Sequence, residues 1–474
     1  MNMKRLNTKR LNSKRAGLLF TFSLLFALFI SACSGGGGSG AATGNSGGPG
    51  GQAGQQNQGQ KGSGGAAETV ELRLGYYSSA QTDAKMQELI GKFQEKHPNI
   101  KIKTESSPYN QFFQKLDTQI AAESAPDVWL SDGVFVPKYA ERGVLKDLTE
   151  LIDRDLGKDD YYGLDFNKDV NGKYWGVPQG IQIAVLYYNK DMFDEAGVAY
   201  PTEDWTWDDL KAAAGKLTKD SAGAYATDAA FDKNKISQYG LTFFSITEGW
   251  MTVLKSYGGG VLDETLTKSI INTPENKRAM EWIVDGMQRE WFTAPSDLKS
   301  FQSNMAPFPS KAAAMRIGIY ARTIDANNAG LNYDVTLLPK GPDGKRFAPV
   351  IANSWVINKQ AEGAKGDAAW EWVKYWATED EVQNEWASLG EAVPVKKSAA
   401  NSERFLSGKP DNKQAFLDSF EFAGTLDVNA VWSEWVGKFG DSVNRAFEGE
   451  IGVDEALSQA DKDVQQVLDE FYKN

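Results

Sequence analysis

The sequence predicts an α/β fold with more than one globular unit. Residues 70–130 alternate strand-like and helix-like patterns in the order β-α-β-α-β, which is typical of a layered domain with a largely parallel sheet. The same alternation of strand-like and helix-like patterns returns from about Leu186 onward. The chain has 474 residues, a length at which a single hydrophobic core no longer suffices, so we expect at least two globular units.

The spacing of apolar residues assigns each element of the first unit. Residues 70–77 begin with strand-like alternation, residues 81–96 place apolar side chains on one helical face, and residues 100–103 alternate again. Residues 109–122 have helical spacing, and residues 126–130 form a short apolar strand. These five elements define the expected β-α-β-α-β order.

The later part of the chain is predicted by the same patterns. We expect a strand at 240–244, a helix at 274–290 and helices over 430–472 that Gly449 and Gly452 interrupt. Several tryptophans lie at a helix start or along a helix, where packing is the simplest explanation. We therefore assign these to the core: Trp205, Trp207, Trp370, Trp372 and Trp376.

Polar side chains follow two strands of the first unit. Ser78 and Ser79 come after the first strand, and Ser131 and Asp132 come after the third. Ligands of open α/β sheets bind beyond the carboxyl ends of the strands, so these four residues are candidates for a binding site. For Asp132, the alternative is a helix N-cap, a position that Asp favours.

The N-terminal region has the pattern of a secretion signal. Residues 1–15 are basic, residues 16–32 are almost wholly apolar or small, and the stretch is short for a membrane span. The sequence before Cys33 resembles a bacterial lipobox, which implies lipid, such as palmitate, on this cysteine. We expect a signal peptide at 1–32, then the lipidated Cys33 and a flexible Gly/Ser linker at 33–68. The protein would then be anchored at the extracellular face of the cell membrane by lipid only.

Composition excludes several kinds of site. With one cysteine and one histidine, the chain has no disulfide framework and no multi-histidine metal site. Its formal net charge of −12 opposes binding to nucleic acid. P-loop and HExxH patterns do not occur, although paired carboxylates for glycoside hydrolysis stay possible. Residues 167–172 resemble half of a calcium loop, but a hairpin turn at Asn171-Gly172 fits better. We expect no enzyme activity, no metal and no cofactor.

A series of segments resembles a known family. In order and spacing from about residue 69 to the C-terminus, they are similar to the extracellular solute-binding proteins of carbohydrate ABC importers, the family that includes maltose-binding protein. The most specific resemblance lies in 186–193 and 205–210, and further matching segments are 172–178, 311–315 and 449–457.

The resemblance implies a two-lobed periplasmic-binding-protein-like fold with a hinge, in which helices flank mixed sheets. Lobe 1 would comprise 69–182 plus 338–390, and lobe 2 would comprise 183–337 plus 391–474. The chain would cross between the lobes near 179–185, 337–339 and 390–394.

The resemblance also implies a function. The protein would capture a sugar, such as an oligosaccharide, outside the cell and deliver it to the permease subunits of an ABC transporter, acting as a monomer. Two alternatives stay open: a surface lipoprotein that senses a ligand for a signalling kinase, and a binding protein for a peptide or polyol.

A sugar-binding cleft needs aromatic faces and polar side chains that bond hydroxyl groups. Relatives carry stacking aromatics in the segments that hold Trp250 and Tyr320, and a late aromatic where this chain has Trp432 and Trp435, one of which would face the cleft. The polar candidates, together with the strand-end residues above, are Gln179, Gln182, Arg322 and Asn353.

Overall fold

The computed structural model describes residues 68–243 and 246–473. The predicted signal peptide and the lipid site at Cys33 lie outside these residues. Within them, the strands are β1 (Val70–Tyr77), β2 (Ile100–Ser107), β3 (Val128–Ser131), β4 (Val177–Asn189), β5 (Lys219–Asp220), β6 (Ile236–Thr242), β7 (Ala313–Ile319), β8 (Tyr333–Thr336), β9 (Ala348–Ile357) and β10 (Ala423–Thr425).

Helices connect these strands and cover the sheets. They are α1 (Ala80–Lys96), α2 (Tyr109–Ala121), α3 (Val136–Glu141), α4 (Thr149–Asp155), α5 (Lys190–Ala196), α6 (Trp207–Leu217), α7 (Met251–Ser256), α8 (Pro274–Gln288), α9 (Pro295–Leu298), α10 (Arg322–Asn328), α11 (Gly363–Thr378), α12 (Asp380–Ala387), α13 (Lys397–Ala400), α14 (Glu403–Leu406), α15 (Gln414–Asp418), α16 (Trp432–Phe447) and α17 (Val453–Tyr472).

The predicted β-α-β-α-β order is confirmed as β1-α1-β2-α2-β3. In the sheet, β1 lies between β2 and β3 and runs parallel to both. The neighbour on the far side of β3 is β9, which is antiparallel. The sheet is therefore mixed and less parallel than the alternation of elements alone predicts, because β9 enters it from a distant part of the chain.

Strand β4 passes from one group of strands to another. Its first part, Val177 to Ile183, pairs with β9, and its second part, Ala184 to Asn189, pairs with β7 and β8. All thirteen residues of β4 are buried. The change of partners falls inside the predicted first crossing at 179–185.

The other two predicted crossings lie close to this strand. Residues 337–347 connect β8, a partner of the second part of β4, to β9, a partner of its first part. In the third segment, Val393 forms an antiparallel bridge with Ile181 of β4. Residues Gly65–Asn474 nevertheless form one compact unit by their internal contacts, so the lobe boundaries at 182/183, 337/338 and 390/391 stay a prediction.

The tryptophans assigned to core packing are mostly buried. Trp372 and Trp376 of α11 are fully buried and pack against Trp355 of β9, each with ring centroids 5.4 Å away. Trp207 packs against Trp282 at 5.4 Å, and a capping box between Thr206 and Asp209 begins its helix. Trp370 is buried, and Trp205 is half-buried against the same core.

The segment that resembles half a calcium loop is a turn. Gly172 has a φ of +85°, a conformation that favours glycine, and Lys168 bridges Tyr174 across the turn. Asp169 uses one carboxylate oxygen to accept hydrogen bonds from the backbone amides of Asn171 and Lys173. Its oxygens therefore hold the turn, in agreement with the hairpin interpretation.

Candidate ligand-binding site

The ends of β1 and β3 bring the four predicted strand-end residues to one edge of the sheet. Leu74 pairs with Val128 in parallel register, so Ser78 and Asp132 follow at equivalent positions. Ser79 forms the N-cap of α1 and exchanges hydrogen bonds with Thr82. Ser131 is fully buried and donates to the Asp132 carbonyl. Of the four residues, Ser79 is exposed, and Ser78 and Asp132 are partly exposed.

Asp132 has two hydrogen-bond donors. Its carboxylate accepts from the Tyr109 hydroxyl at 3.0 Å and from the Val134 amide at 3.1 Å. Burial raises the pKa of Asp132, and these two hydrogen bonds oppose that rise. Asp132 thus caps the short helix at Gly133–Phe135, as the alternative interpretation expects, and its carboxylate also lies at the strand end.

Tyr109 is an aromatic residue of this edge that the sequence did not single out. Tyr109 as a whole is 40% exposed, and its ring packs edge-on against Tyr77 at 5.1 Å and against Phe113 at 4.9 Å. An exposed ring that neighbours and a carboxylate hold in place has the properties of a stacking surface for a sugar. The sequence feature that could have indicated Tyr109 is its position at the start of a helix that follows a strand end.

Gln182 joins segments from distant parts of the chain. Its side-chain oxygen accepts a hydrogen bond from the Ala321 amide at 3.2 Å, between the predicted residues Tyr320 and Arg322. Its side-chain nitrogen donates to the carbonyl of Glu391. The structure therefore brings Gln182, Tyr320 and Arg322 together, and it adds Glu391, which the sequence did not single out.

Strands β4 and β9 connect the segment of Glu391 to the strand ends. Burial raises the pKa of the Tyr77 hydroxyl, and the charges of Asp132, Tyr109 and Glu391 raise it further. Burial also raises the pKa of Glu391 itself. Ala392, the neighbour of Glu391, lies against Gly180 of β4, and Gly180 pairs with Asn353, which contacts Gly133 beside Asp132.

Asn353 and Arg322 complete the group. The Asn353 side-chain oxygen accepts from the amide of Gly133, next to Asp132, at 3.3 Å. Arg322 forms two hydrogen bonds with Glu248, of 2.6 Å and 3.1 Å. We call the following residues the strand-end site: Tyr77, Ser78, Tyr109, Asp132, Gln182, Arg322, Asn353 and Glu391.

Gln179 lies deeper. Only 4% of it is exposed, and its carbonyl accepts a hydrogen bond from the Trp376 indole at 2.8 Å. Its side-chain nitrogen is buried, and no described residue accepts a hydrogen bond from it. Its predicted contact with a ligand is not visible in this conformation and stays a prediction.

The predicted stacking aromatics are buried in this conformation. Trp250 packs against Phe439 at 4.3 Å. Tyr320 is 2% exposed and packs against Phe416 at 5.0 Å. Their contact with a ligand requires a different arrangement of the surrounding segments, so their assignment to the site stays a prediction.

Trp432 and Trp435 pack against each other, with ring centroids 4.8 Å apart and the planes nearly perpendicular. Trp435 is fully buried and donates to Asn429, whereas Trp432 keeps 8% exposure. Trp432 is therefore the member of the pair that could reach a cleft.

A cavity of about 440 Å³ lies next to the strand-end site, but the predicted residues do not line it. Val134, Phe166 and Trp175 contribute to its wall, together with Leu426 and Tyr472 from the C-terminal part of the chain. Polar side chains also line it, among them Glu141, Asn167, Asp169, Thr265 and Asn429. We take the strand-end site, where several of the predicted residues meet, as the candidate binding site, and this cavity lies beside it.

The fold and the position of this site define a two-lobed solute-binding protein. A family model for bacterial extracellular solute-binding proteins matches residues 77–383, more than half of the chain. The chain belongs to this family.

Individual relatives agree. The chain is 25% identical over 353 residues to the maltodextrin-binding protein MdxE of Bacillus subtilis, which covers 72% of this chain and 78% of that protein. Among solved structures, it is similar to an ABC substrate-binding protein of Listeria monocytogenes in complex with cycloalternan, with a TM-score of 0.72, 26% identity and coverage of 85% of this chain and 99% of that one. The sugar-binding protein MalE of Xanthomonas citri matches with the same TM-score at 20% identity, covering 85% of this chain and 98% of its own.

Within residues 68–243 and 246–473, no helix combines the length and the apolar character that a membrane-spanning helix needs.

Proposed function

We propose that this protein captures a saccharide outside the cell and delivers it to the permease of an ABC importer. The observation that carries the proposal is the strand-end site. There Tyr109 donates to Asp132, Asn353 of β9 contacts Gly133 beside it, and Gln182 of β4 donates to the Glu391 carbonyl near the point where β4 changes partners. Membership of the solute-binding family and the named ligands of the similar proteins support it.

The site has the chemistry that saccharide binding needs. The exposed ring of Tyr109 offers a face for the C–H groups of a sugar ring. The carboxylate of Asp132 accepts from hydroxyl groups, and the amides of Gln182 and Asn353 have both donors and acceptors. Charged and bidentate hydrogen bonds fix the orientation of the ligand, and the ring face contributes apolar contact.

The proposed mechanism is closure of two lobes around the ligand. We assign 69–182 plus 338–390 to one lobe and 183–337 plus 391–474 to the other. The strand-end residues of β1 and β3 would lie on the first lobe, and Arg322 and Glu391 on the second. A ligand that contacts both lobes stabilises the closed form, which a permease can then recognise.

We further propose that lipid on Cys33 anchors the protein at the extracellular face of the membrane, that the linker of residues 33–68 acts as a tether, and that the protein acts as a monomer without catalytic activity. Metabolic labelling with a palmitate analogue tests the anchor. Label in the wild type and none in Cys33→Ser is the expected result.

Calorimetric titration with a panel of malto-, galacto- and cello-oligosaccharides tests the proposed function. We expect at least one of them to bind, and Asp132→Asn to weaken binding about 10- to 100-fold, because hydrogen bonds to a charged group contribute about 1.5–3 kcal/mol. Asp159→Asn, at an exposed carboxylate outside the site, is the matched control and should bind as the wild type does. Absence of binding across the panel contradicts the proposal.

A polyol is the second candidate ligand. The chain is 24% identical over 411 residues to the mannitol-binding protein of Pseudomonas aeruginosa. A linear polyol offers hydroxyl groups but no ring face. If mannitol is the ligand, its affinity should fall in Asp132→Asn and stay unchanged in Tyr109→Ala. The affinity for a saccharide should fall in both variants.

A further inference from the structure

Glu391 has a fixed backbone at the third crossing segment. Its carbonyl accepts a hydrogen bond from the Gln182 side chain, and two residues later Val393 bridges Ile181 of β4. The backbone at Glu391 is therefore held beside β4 and is not part of a free loop. Its position is set by contacts with β4, which is buried along its whole length.

The carboxyl group of Glu391 is partly buried. In the described part of the chain, no residue donates a hydrogen bond to it and no lysine, arginine or histidine forms an ion pair with it. The same ranges show no ion pair for Asp132, whose donors are a hydroxyl and an amide. Both carboxylates thus lack a neutralising cation.

The arginine of the strand-end site does not neutralise these carboxylates. Arg322 forms an ion pair of 2.6 Å with Glu248, and Glu248 is also bound by the amide of Ile319 at 3.1 Å. The pair has no net charge. Asp132 and Glu391 are therefore the acidic groups of the strand-end site that no cation of residues 68–243 and 246–473 neutralises.

We propose that Glu391, together with Asp132, restricts the strand-end site to saccharides without negative charge. Hydroxyl groups of a neutral sugar, or the ammonium group of an amino sugar, donate hydrogen bonds to these carboxylates. A uronate or a phosphorylated sugar would place its own charge beside them, and like charges in a partly buried site repel strongly. This inference rests on the proposed function and specifies its ligand class.

The test uses one saccharide in three forms. The tightest neutral binder from the oligosaccharide panel is compared with the derivative in which a primary hydroxyl is oxidised to a carboxylate, and with the neutral amide of that derivative. The amide controls for the changed shape, so the affinity ratio of amide to carboxylate measures charge alone. For the wild type, we expect the carboxylate form to bind about 100-fold more weakly than the amide, by calorimetry at pH 7.

Glu391→Gln keeps the shape of the side chain and removes its charge. We expect this variant to reduce the ratio of amide to carboxylate affinity about tenfold, while the neutral saccharide binds within tenfold of the wild type. Glu403→Gln, at an exposed glutamate of α14, is the matched control and should leave the ratio unchanged. Circular dichroism confirms that each variant is folded.

The outcomes separate this inference from the proposed function. Equal affinity for the carboxylate and amide forms overturns the inference and leaves saccharide binding intact, as does a ratio that Glu391→Gln leaves unchanged. If no oligosaccharide of the panel binds, the proposed function fails and the inference fails with it.

Discussion

Gly240 of β6 lies against the backbone of helix α6. A β-carbon at this position would stand 2.2 Å from the Ala214 carbonyl oxygen and 2.4 Å from its α-carbon. These are backbone atoms, so no rotation of a side chain can relieve the contact. We predict that Gly240→Ala lowers the free energy of unfolding by about 1–3 kcal/mol, because strand and helix must move apart. Urea denaturation measures the change.

Gly91 provides the matched control for this prediction. It lies inside α1, and a β-carbon there would meet nothing within 4 Å. Gly91→Ala should raise the free energy of unfolding by about 0.5–1 kcal/mol, since alanine loses less backbone entropy in a helix. Equal effects of the two substitutions would contradict the proposed contact at Gly240.

At the scale of single residues, some members of the candidate site can be found from the sequence and others cannot. Asp132 follows a strand end, a position that can be read from the local pattern. Glu391 could not be found in this way, because it meets Gln182 from a distance of 209 residues along the chain. The exposure of Tyr109 depends on how α2 packs beside β1, which spacing alone does not reveal.

Helices α1 and α12 are joined by ion pairs. Glu385 of α12 contacts Lys85 at 3.1 Å and Lys92 at 2.7 Å, both on α1. We predict that Glu385→Gln lowers the free energy of unfolding by about 1–2 kcal/mol at pH 7, because the carboxylate is largely buried and the lysines keep partial exposure. Glu381→Gln, an exposed neighbour on the same helix, should change it by less than about 0.5 kcal/mol.

The same pair gives a pH dependence with a definite sign. Burial alone would raise the pKa of Glu385, but hydrogen bonds from Lys92 and Lys85 lower it to about 2. A carboxyl group with a depressed pKa stabilises the fold fully above its ordinary value near 4.5, and the contribution is lost as the pH falls towards 2. The difference between wild type and Glu385→Gln should therefore shrink over this range. A constant difference down to pH 2 would contradict it.

At the scale of elements, local signals predicted the ends of helices well. The capping box at Thr206 and Asp209 and the breaks at Gly449 and Gly452 all appear where the sequence places them. The strand predicted at 240–244 instead spans Ile236–Thr242, because its register is set by pairing with β7. The burial of Tyr320 likewise follows from β7, whose seven residues are all buried. Local patterns do not contain such pairings.

At the scale of the whole molecule, the family resemblance carried information that periodicity lacked. The alternation of strands and helices predicted a layered α/β protein, but not that β9 returns to lie between β3 and β4. The crossing at 179–185 came from the resemblance, and it agrees with the change of partners at Ile183 and Ala184. The organisation of the whole chain thus depends on contacts between distant segments. Local periodicity does not reveal these contacts, whereas resemblance to a family does.

The contact between two crossing segments gives the last prediction. Gly180 of β4 lies so close to the third segment that an added β-carbon would stand 2.4 Å from the Ala392 β-carbon. We predict that Gly180→Ala pushes these segments apart, lowers the free energy of unfolding by about 1–3 kcal/mol, and reduces the decrease in radius of gyration that a bound oligosaccharide causes. Urea denaturation and small-angle X-ray scattering with and without the oligosaccharide measure the two effects.

Ala392→Gly supplies a compensating change. The backbone of Ala392 stays 3.8 Å away, so removing its β-carbon should relieve the contact that Gly180→Ala creates. The double variant should be more stable than Gly180→Ala alone and should recover the ligand-induced compaction, although Ala392→Gly by itself is destabilising. Residues in contact show such coupling in a double-mutant cycle, whereas independent sites have additive effects. Additive destabilisation would mean that the spacing of the crossing segments does not depend on this contact.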